Sequence, residues 1–125
     1  MYFLFIGYYD AEKMDQSSQE ELDAVMERCN RPLEQFFKQT RVVQEWHPGT
    51  DTKRASLSGG QIERQDGPDR HNSEQIGSLI IFEADDLEQA VELALLHPTT
   101  QIAEAEQYGW RLEVRPLLDV TPASG

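Results

Sequence analysis

His71 sits in a short polar segment with Asp66, Asp69, Arg70 and Glu74 nearby, and imidazole is the side chain that exchanges a proton near neutral pH. Paired with Asp69 or Glu74 it could serve as a general base or supply two legs of a metal site. No HExxH, paired CxxC or EF-hand pattern occurs in the chain, so neither a metal nor a cofactor is expected. The expectation is His71 as a candidate base, with Asp66, Asp69, Arg70 and Glu74 as candidate ligand-binding residues. His97, just before Pro98, is a second candidate base; at a helix end it could instead complement the dipole and bond a terminal carbonyl. Cys29 is the only cysteine. A nearby imidazole would favour its thiolate, a nucleophile, whereas its place between Met26 and Leu33 is that of a small core hydrophobe. Nucleotide-binding GxGxxG and Walker loops and the GxSxG elbow are absent. Trp46, Trp110 and Tyr8 could line an aromatic pocket or fill the core, and His47 reads as a strand-end residue.

The elements that must position these groups follow from periodicity. Residues 2–8 are apolar and aromatic on both alternating faces, as in a central strand. Ser17 and Ser18 precede Glu20 and Glu21 at capping-box spacing, and Leu22, Val25, Met26, Cys29, Leu33, Phe36 and Phe37 recur every three or four residues. These predict a helix that ends near Gln39, with a kink or restart near Asn30 forced by Pro32. Val42–Trp46 reads as a strand, and Arg54–Leu57 and Gln61–Arg64 flank Ser58-Gly59-Gly60 as a peripheral hairpin. Ile76–Glu83 is a buried strand. Asp85 or Asp86 caps a helix with Leu87, Ala90, Val91, Ala94 and Leu95 on its inner face, ended by His97-Pro98. A short helical turn is expected over Ala103–Gln107, and a last strand over Trp110–Arg115 with Trp110, Leu112 and Val114 inward.

This order is the split βαβ pattern of a ferredoxin-like α+β domain, an antiparallel sheet with two helices on one face and an extra β-hairpin. Residues 1–118 form the single domain and residues 119–125 a C-terminal tail. Phe3, Phe5, Leu79 and Ile81 are assigned to one side of their strands and Leu4, Ile6, Ile80 and Phe82 to the other, so both sheet faces carry large apolar groups. A monomer would expose one of them as an extended patch. A second copy is expected to cover it, giving a sheet-on-sheet homodimer.

The formal net charge of −12 disfavours nucleic acid and anionic lipid as partners. Lys53, Arg54, Arg64, Arg70, Arg111 and Arg115 gather locally, which suits either an anionic small molecule or charge balance on strand edges. With one cysteine no internal disulfide forms, and a reducing cytoplasm is the expected setting. No apolar run approaches the ~18 residues that would span a membrane.

Asp66-Gly67-Pro68 followed by Glu74-Gln75-Ile76-Gly77, the opening strand Tyr2–Gly7, and the closing Leu112-Glu113-Val114-Arg115-Pro116-Leu117 together resemble the YCII-related family in its DGPF branch. Asp85-Asp86-Leu87-Glu88-Gln89-Ala90 has the family's look as well. The resemblance implies a dimeric α+β barrel of unassigned biochemistry over residues 1–118. The family's usual phenylalanine, acidic residue and lysine are replaced by Asp69, His71 and Ser73. In the wider family a histidine on the first helix and an aspartate before the proline that ends the second have been read as an acid–base pair; here those positions fall near Cys29 or Asn30 and on His97. The implied functions are a small ligand held in a cleft near Asp66–Gly77, or an accessory or regulatory role beside an alternative sigma factor. The alternative is a cofactor-independent oxygenase-like or isomerase-like enzyme using His71 or His97 as base, an analogy resting on fold.

Overall fold

The computed structural model describes residues 1–67 and 73–119. In chain order these form strand β1 (Tyr2–Asp10), helices α1 (Ala11–Asp15) and α2 (Gln19–Gln39), strands β2 (Arg41–Trp46), β3 (Lys53–Ser58), β4 (Gln61–Asp66) and β5 (Glu74–Glu83), and helix α3 (Leu87–Ala94). A 3-10 turn (Pro98–Thr100), helix α4 (Glu104–Gln107) and strand β6 (Arg111–Pro116) complete the described chain. The main sheet has the order β2-β5-β1-β6, antiparallel throughout, and β3 and β4 form a separate two-stranded hairpin. The fold is α+β and ferredoxin-like, as expected.

Helix α2 begins in a full capping box: the Ser18 hydroxyl accepts from the Glu21 amide at 3.1 Å, and the Glu21 carboxylate accepts from the Ser18 amide at 3.3 Å. Pro32 does not restart the helix, which runs as one element of 21 residues. Its ring removes one backbone donor, but Cys29 and Phe36, a turn on either side, are both buried and hold the two halves to the core. Helix α1 was not expected. It is only five residues long, and its signal is the Asp10 carboxylate, which accepts from the Lys13 amide. Helix α3 is capped by Asp86, whose carboxylate accepts from the Gln89 amide at 2.8 Å.

The register between β1 and β5 pairs Phe3 with Phe82, Leu4 with Ile81, Phe5 with Ile80 and Ile6 with Leu79. Directly paired residues share a face. The grouping of Phe3 and Phe5 with Leu79 and Ile81 is therefore corrected: Phe3, Phe5, Ile80 and Phe82 face the helices together and are fully buried. Phe36 from α2 and Ala90 and Ala94 from α3 close over them. Both helices lie on that face. The other face carries Leu4, Ile6, Leu79 and Ile81, with Trp46 and Ile76 about 40% exposed at 40% and 39%. Both faces are apolar, as the strand composition implies.

A second, smaller core joins Val25, Cys29 and Tyr108, with Met14, Leu22, Ile102 and Trp110 packed against it. Leu112 and Val114 of β6 pack on the main core, whereas Trp110 precedes the strand and belongs to this second cluster. Among the described residues no helix is long and apolar enough to cross a membrane.

Candidate functional site

On the helix-facing side of the sheet, β1 and β5 present successive layers: Phe3 with Phe82, Phe5 with Ile80, then Gly7 with Ser78. The first two layers are filled by rings and a branched aliphatic; the third has almost no side-chain volume. The change is encoded locally, because a Cβ on Gly7 would lie 3.1 Å from the Phe5 ring and one on Gly77 would lie 3.0 Å from the Tyr9 ring. A larger residue at either would have to displace its neighbour. Gly77 is also the extra residue where the β1–β5 register slips between Gly7 and Tyr8. Over this emptied layer α2 passes with Met26, Cys29 and Leu33, and a cavity of about 490 Å³ remains between helix and sheet. That volume is within the usual range for a small-molecule site.

His97 forms one wall. Its ring lies 4.6 Å from Phe5 and 5.4 Å from Phe36, centroid to centroid. The expected dipole role does not apply. The His97 side chain caps the 3-10 turn instead: Nδ1 accepts from the Thr99 amide at 3.2 Å and lies 2.7 Å from the Thr99 hydroxyl. An acceptor at Nδ1 leaves the proton on Nε2, so the ring is a neutral donor. Burial, with a smaller contribution from the charge of His47, pushes the His97 pKa down to about 4. Nε2 has no hydrogen-bond partner among the described residues. It is also not among the buried polar atoms without partners, of which Thr40 Oγ1 is the sole described example. Nε2 therefore reaches accessible space, and the space that His97 borders is this cavity.

His47 and Glu45 also border the cavity. Glu45, paired across the sheet with Ile80, faces the helices. Its carboxylate lies 2.9 Å from His47 Nε2, while His47 Nδ1 donates to the Gly77 carbonyl at 3.2 Å. Both ring nitrogens are thus engaged, and the imidazole is held between strands β2 and β5. Cys29 borders the same space, but no hydrogen bond joins it to His97 among the described residues. Burial, reinforced by Glu104, pushes its thiol pKa up, which disfavours a thiolate. Trp110 and Tyr8 border the cavity, and Trp46 lies on the other sheet face beside Leu79.

The signature segment is arranged differently from the sequence expectation. Glu74 to Gly77 belong to β5 and not to a loop. Arg111 grips Glu74 in a two-pronged pair, Nε and Nη2 donating at 2.7 and 2.6 Å. Glu113 bridges Arg111 and Arg115 at 2.9 and 3.0 Å and accepts from the Tyr8 hydroxyl at 3.3 Å, with the Arg111 guanidinium 4.0 Å over the Tyr8 ring. Asp66 ends β4, exposed and paired with Lys53 at 2.9 Å, and Arg54 donates to the Gly67 carbonyl at 3.0 Å. Lys53, Arg54, Arg111 and Arg115 are thus partnered within the chain. Asp69, Arg70 and His71 lie outside the described residues.

A larger hollow of about 930 Å³ adjoins Gly67 and Gln75, with exposed Asp15, Asp51 and Lys53 on its rim. Among the described residues His47, His97 and Cys29 do not border it. Among the described residues no group of three His, Cys, Asp or Glu side chains is placed to hold a metal ion. His47 is the site residue that sequence reasoning missed. The available signal was its spacing from Glu45, two residues apart and hence on one side of an extended strand.

A family model described as the YCII-related domain matches residues 1–111 of the 125-residue chain. The match takes in Gly7, Cys29, Glu45, His47, Ser78 and His97. No curated protein matches the chain.

Proposed function

The chain belongs to the YCII-related domain family, and on that premise we propose that it is a homodimeric binding protein whose ligand sits between α2 and the sheet. The observation that carries this reading is the emptied Gly7–Ser78 layer, roofed by α2 and walled by a neutral histidine donor. Few convergent polar groups in an otherwise apolar concavity are what a small-molecule site requires. The general-base role for His97 has less support than a donor role, because the nitrogen that could accept a proton is already bonded to Thr99. Asp66-Gly67-Pro68 favours the DGPF branch of the family, and the single cysteine suits a cytoplasmic setting.

The cavity reading is tested by screening neutral aromatic fragments by protein NMR, following the Trp110 indole N–H. Fragments that shift it in the wild type should lose binding at least tenfold in Ser78→Leu, which refills the floor. Equal binding to both proteins overturns the assignment.

The homodimer rests on the second sheet face, where Leu4, Ile6, Leu79 and Ile81 form an apolar centre on the side away from α2 and α3. A second copy applied about a twofold axis would bury it against its own equivalent. Sedimentation velocity at micromolar protein should give a dimer for the wild type and a monomer for Ile81→Arg. A wild type that sediments as a sharp monomer excludes this interface.

A further inference from the structure

The walls of the cavity restrict the chemistry of what can occupy it. No lysine or arginine lines it among the described residues, and its only charged partners are Glu45 and His47, which are paired to each other at 2.9 Å. An entering anion would give up water and find no free cation in exchange, a loss that the protein's net charge of −12 deepens. A cation would be drawn toward Glu45 but would have to compete with the imidazole already bonded there. The remaining walls include Met14, Met26, Leu33 and Trp110, which reward apolar and flat surfaces, the two thioethers adapting to an irregular outline. Against them stands a fixed ring donor, His97 Nε2–H, beside the rotatable hydroxyls of Ser78 and Tyr9. Phe5 and Phe36 pack against the ring, and Thr99 holds its Nδ1 end, so the donor cannot turn away. A ligand without an acceptor would leave that donor unsatisfied once water is displaced.

Resting on the cavity reading above, we propose that the site selects an uncharged, flat, mainly apolar molecule that presents a carbonyl-type acceptor to His97 Nε2–H. Discrimination comes from both sides: the apolar walls reject charge, and the fixed donor rejects plain hydrocarbon. Specificity of the second kind is the sharper, since a buried donor left without a partner is penalised more than a missing methylene.

Three probes of one shape separate these terms: 2-acetylnaphthalene, 2-naphthoate and 2-ethylnaphthalene, each titrated by NMR into the wild type, Ser78→Leu and His97→Phe. His97→Phe keeps an aromatic ring against Phe5 and Phe36 while removing the donor. The ketone should bind the wild type at least tenfold more tightly than either the carboxylate or the hydrocarbon, and His97→Phe should bring ketone and hydrocarbon level. All of the ketone's binding should be lost in Ser78→Leu. A carboxylate that binds as tightly as the ketone overturns the uncharged class while leaving the cavity as a site. A hydrocarbon that binds as tightly overturns the donor role of His97. If none of the three binds at millimolar concentration, or if Ser78→Leu retains them all, the cavity reading itself fails and the inference with it.

Discussion

Truncating Phe36 to alanine is expected to cost about 3–5 kcal/mol of folding stability, a loss at the top of the range for single core substitutions. Phe36 is fully buried, and it is the point where α2 meets the sheet. Its ring lies 6.1 Å from Phe5, 6.5 Å from Phe82 and 5.4 Å from His97, so its removal leaves a void bordered by three aromatic groups at once. Rings held by strands and by a capped turn cannot relax far to fill that void, and the cost should fall toward the upper part of the range. Urea unfolding followed by circular dichroism measures it directly. A loss below about 1.5 kcal/mol, in the range of a conservative core swap, would mean that α2 is held to the sheet by something other than this ring.

The second large effect is a dependence of stability on pH that belongs to one residue. The His97 pKa is about 4 in the folded protein against an ordinary 6.5, with burial as the main cause and the charge of His47 as the lesser one. Below pH 6.5 the unfolded chain takes up a proton on this ring that the native protein does not, and stability falls as pH is lowered. The contribution is fully present above pH 6.5, declines between pH 6.5 and 4, and is spent once the native ring protonates. A gap of that width corresponds to about 3 kcal/mol. The groups that face His97 are Cys29 from α2, Thr99 from the turn, and Glu45 and His47 from the β2 side. Asp10, Glu104 and Glu113 have lowered pKa values of their own, through bonds to Ser73, to the helix backbone and Arg28, and to Arg111 and Arg115 respectively. They also lose stability in acid. The comparison that isolates His97 is therefore the wild type against His97→Gln, each unfolded in urea from pH 7 to pH 4. The wild type should lose about 3 kcal/mol more than the variant over that interval. Parallel curves would show that the ring is charged or solvated in the folded protein.

Much of this architecture is written in single-residue periodicities. The alternation in residues 2–8 and 76–83, the three-and-four spacing from Leu22 to Phe37, and the caps at Ser18 and Asp86 were enough to give the order of the strands and the two longer helices and the ferredoxin-like arrangement. Alternation fixes which residues share a face within one strand, but it carries no information about how one strand slides against the next. That is why Phe3 and Phe5 could be placed with Leu79 and Ile81, when the actual register sets them against Phe82 and Ile80. The site suffered from the same gap. Glu74 looked like a group available to a ligand, and only the fold brings Arg111, 37 residues away, onto it. His97 was legible as a residue of interest from the His-Pro step, yet its role depends on a bond to Thr99 that the sequence leaves open. His47 became part of the site because the slip at Gly77 turns that carbonyl toward it.

The division of the helix-facing side into filled and emptied layers has a consequence for how such a protein can change over generations. Phe3, Phe5, Ile80, Phe82 and Phe36 carry the stability, while Ser78, Met26 and Leu33, one layer on, border empty space. Mutations at the latter positions can reshape the chamber without drawing on the reserve that keeps the chain folded. A lineage built this way can alter the shape of the chamber in small steps, each of them tolerated, and a laboratory wishing to reshape it would begin its libraries at those same three positions.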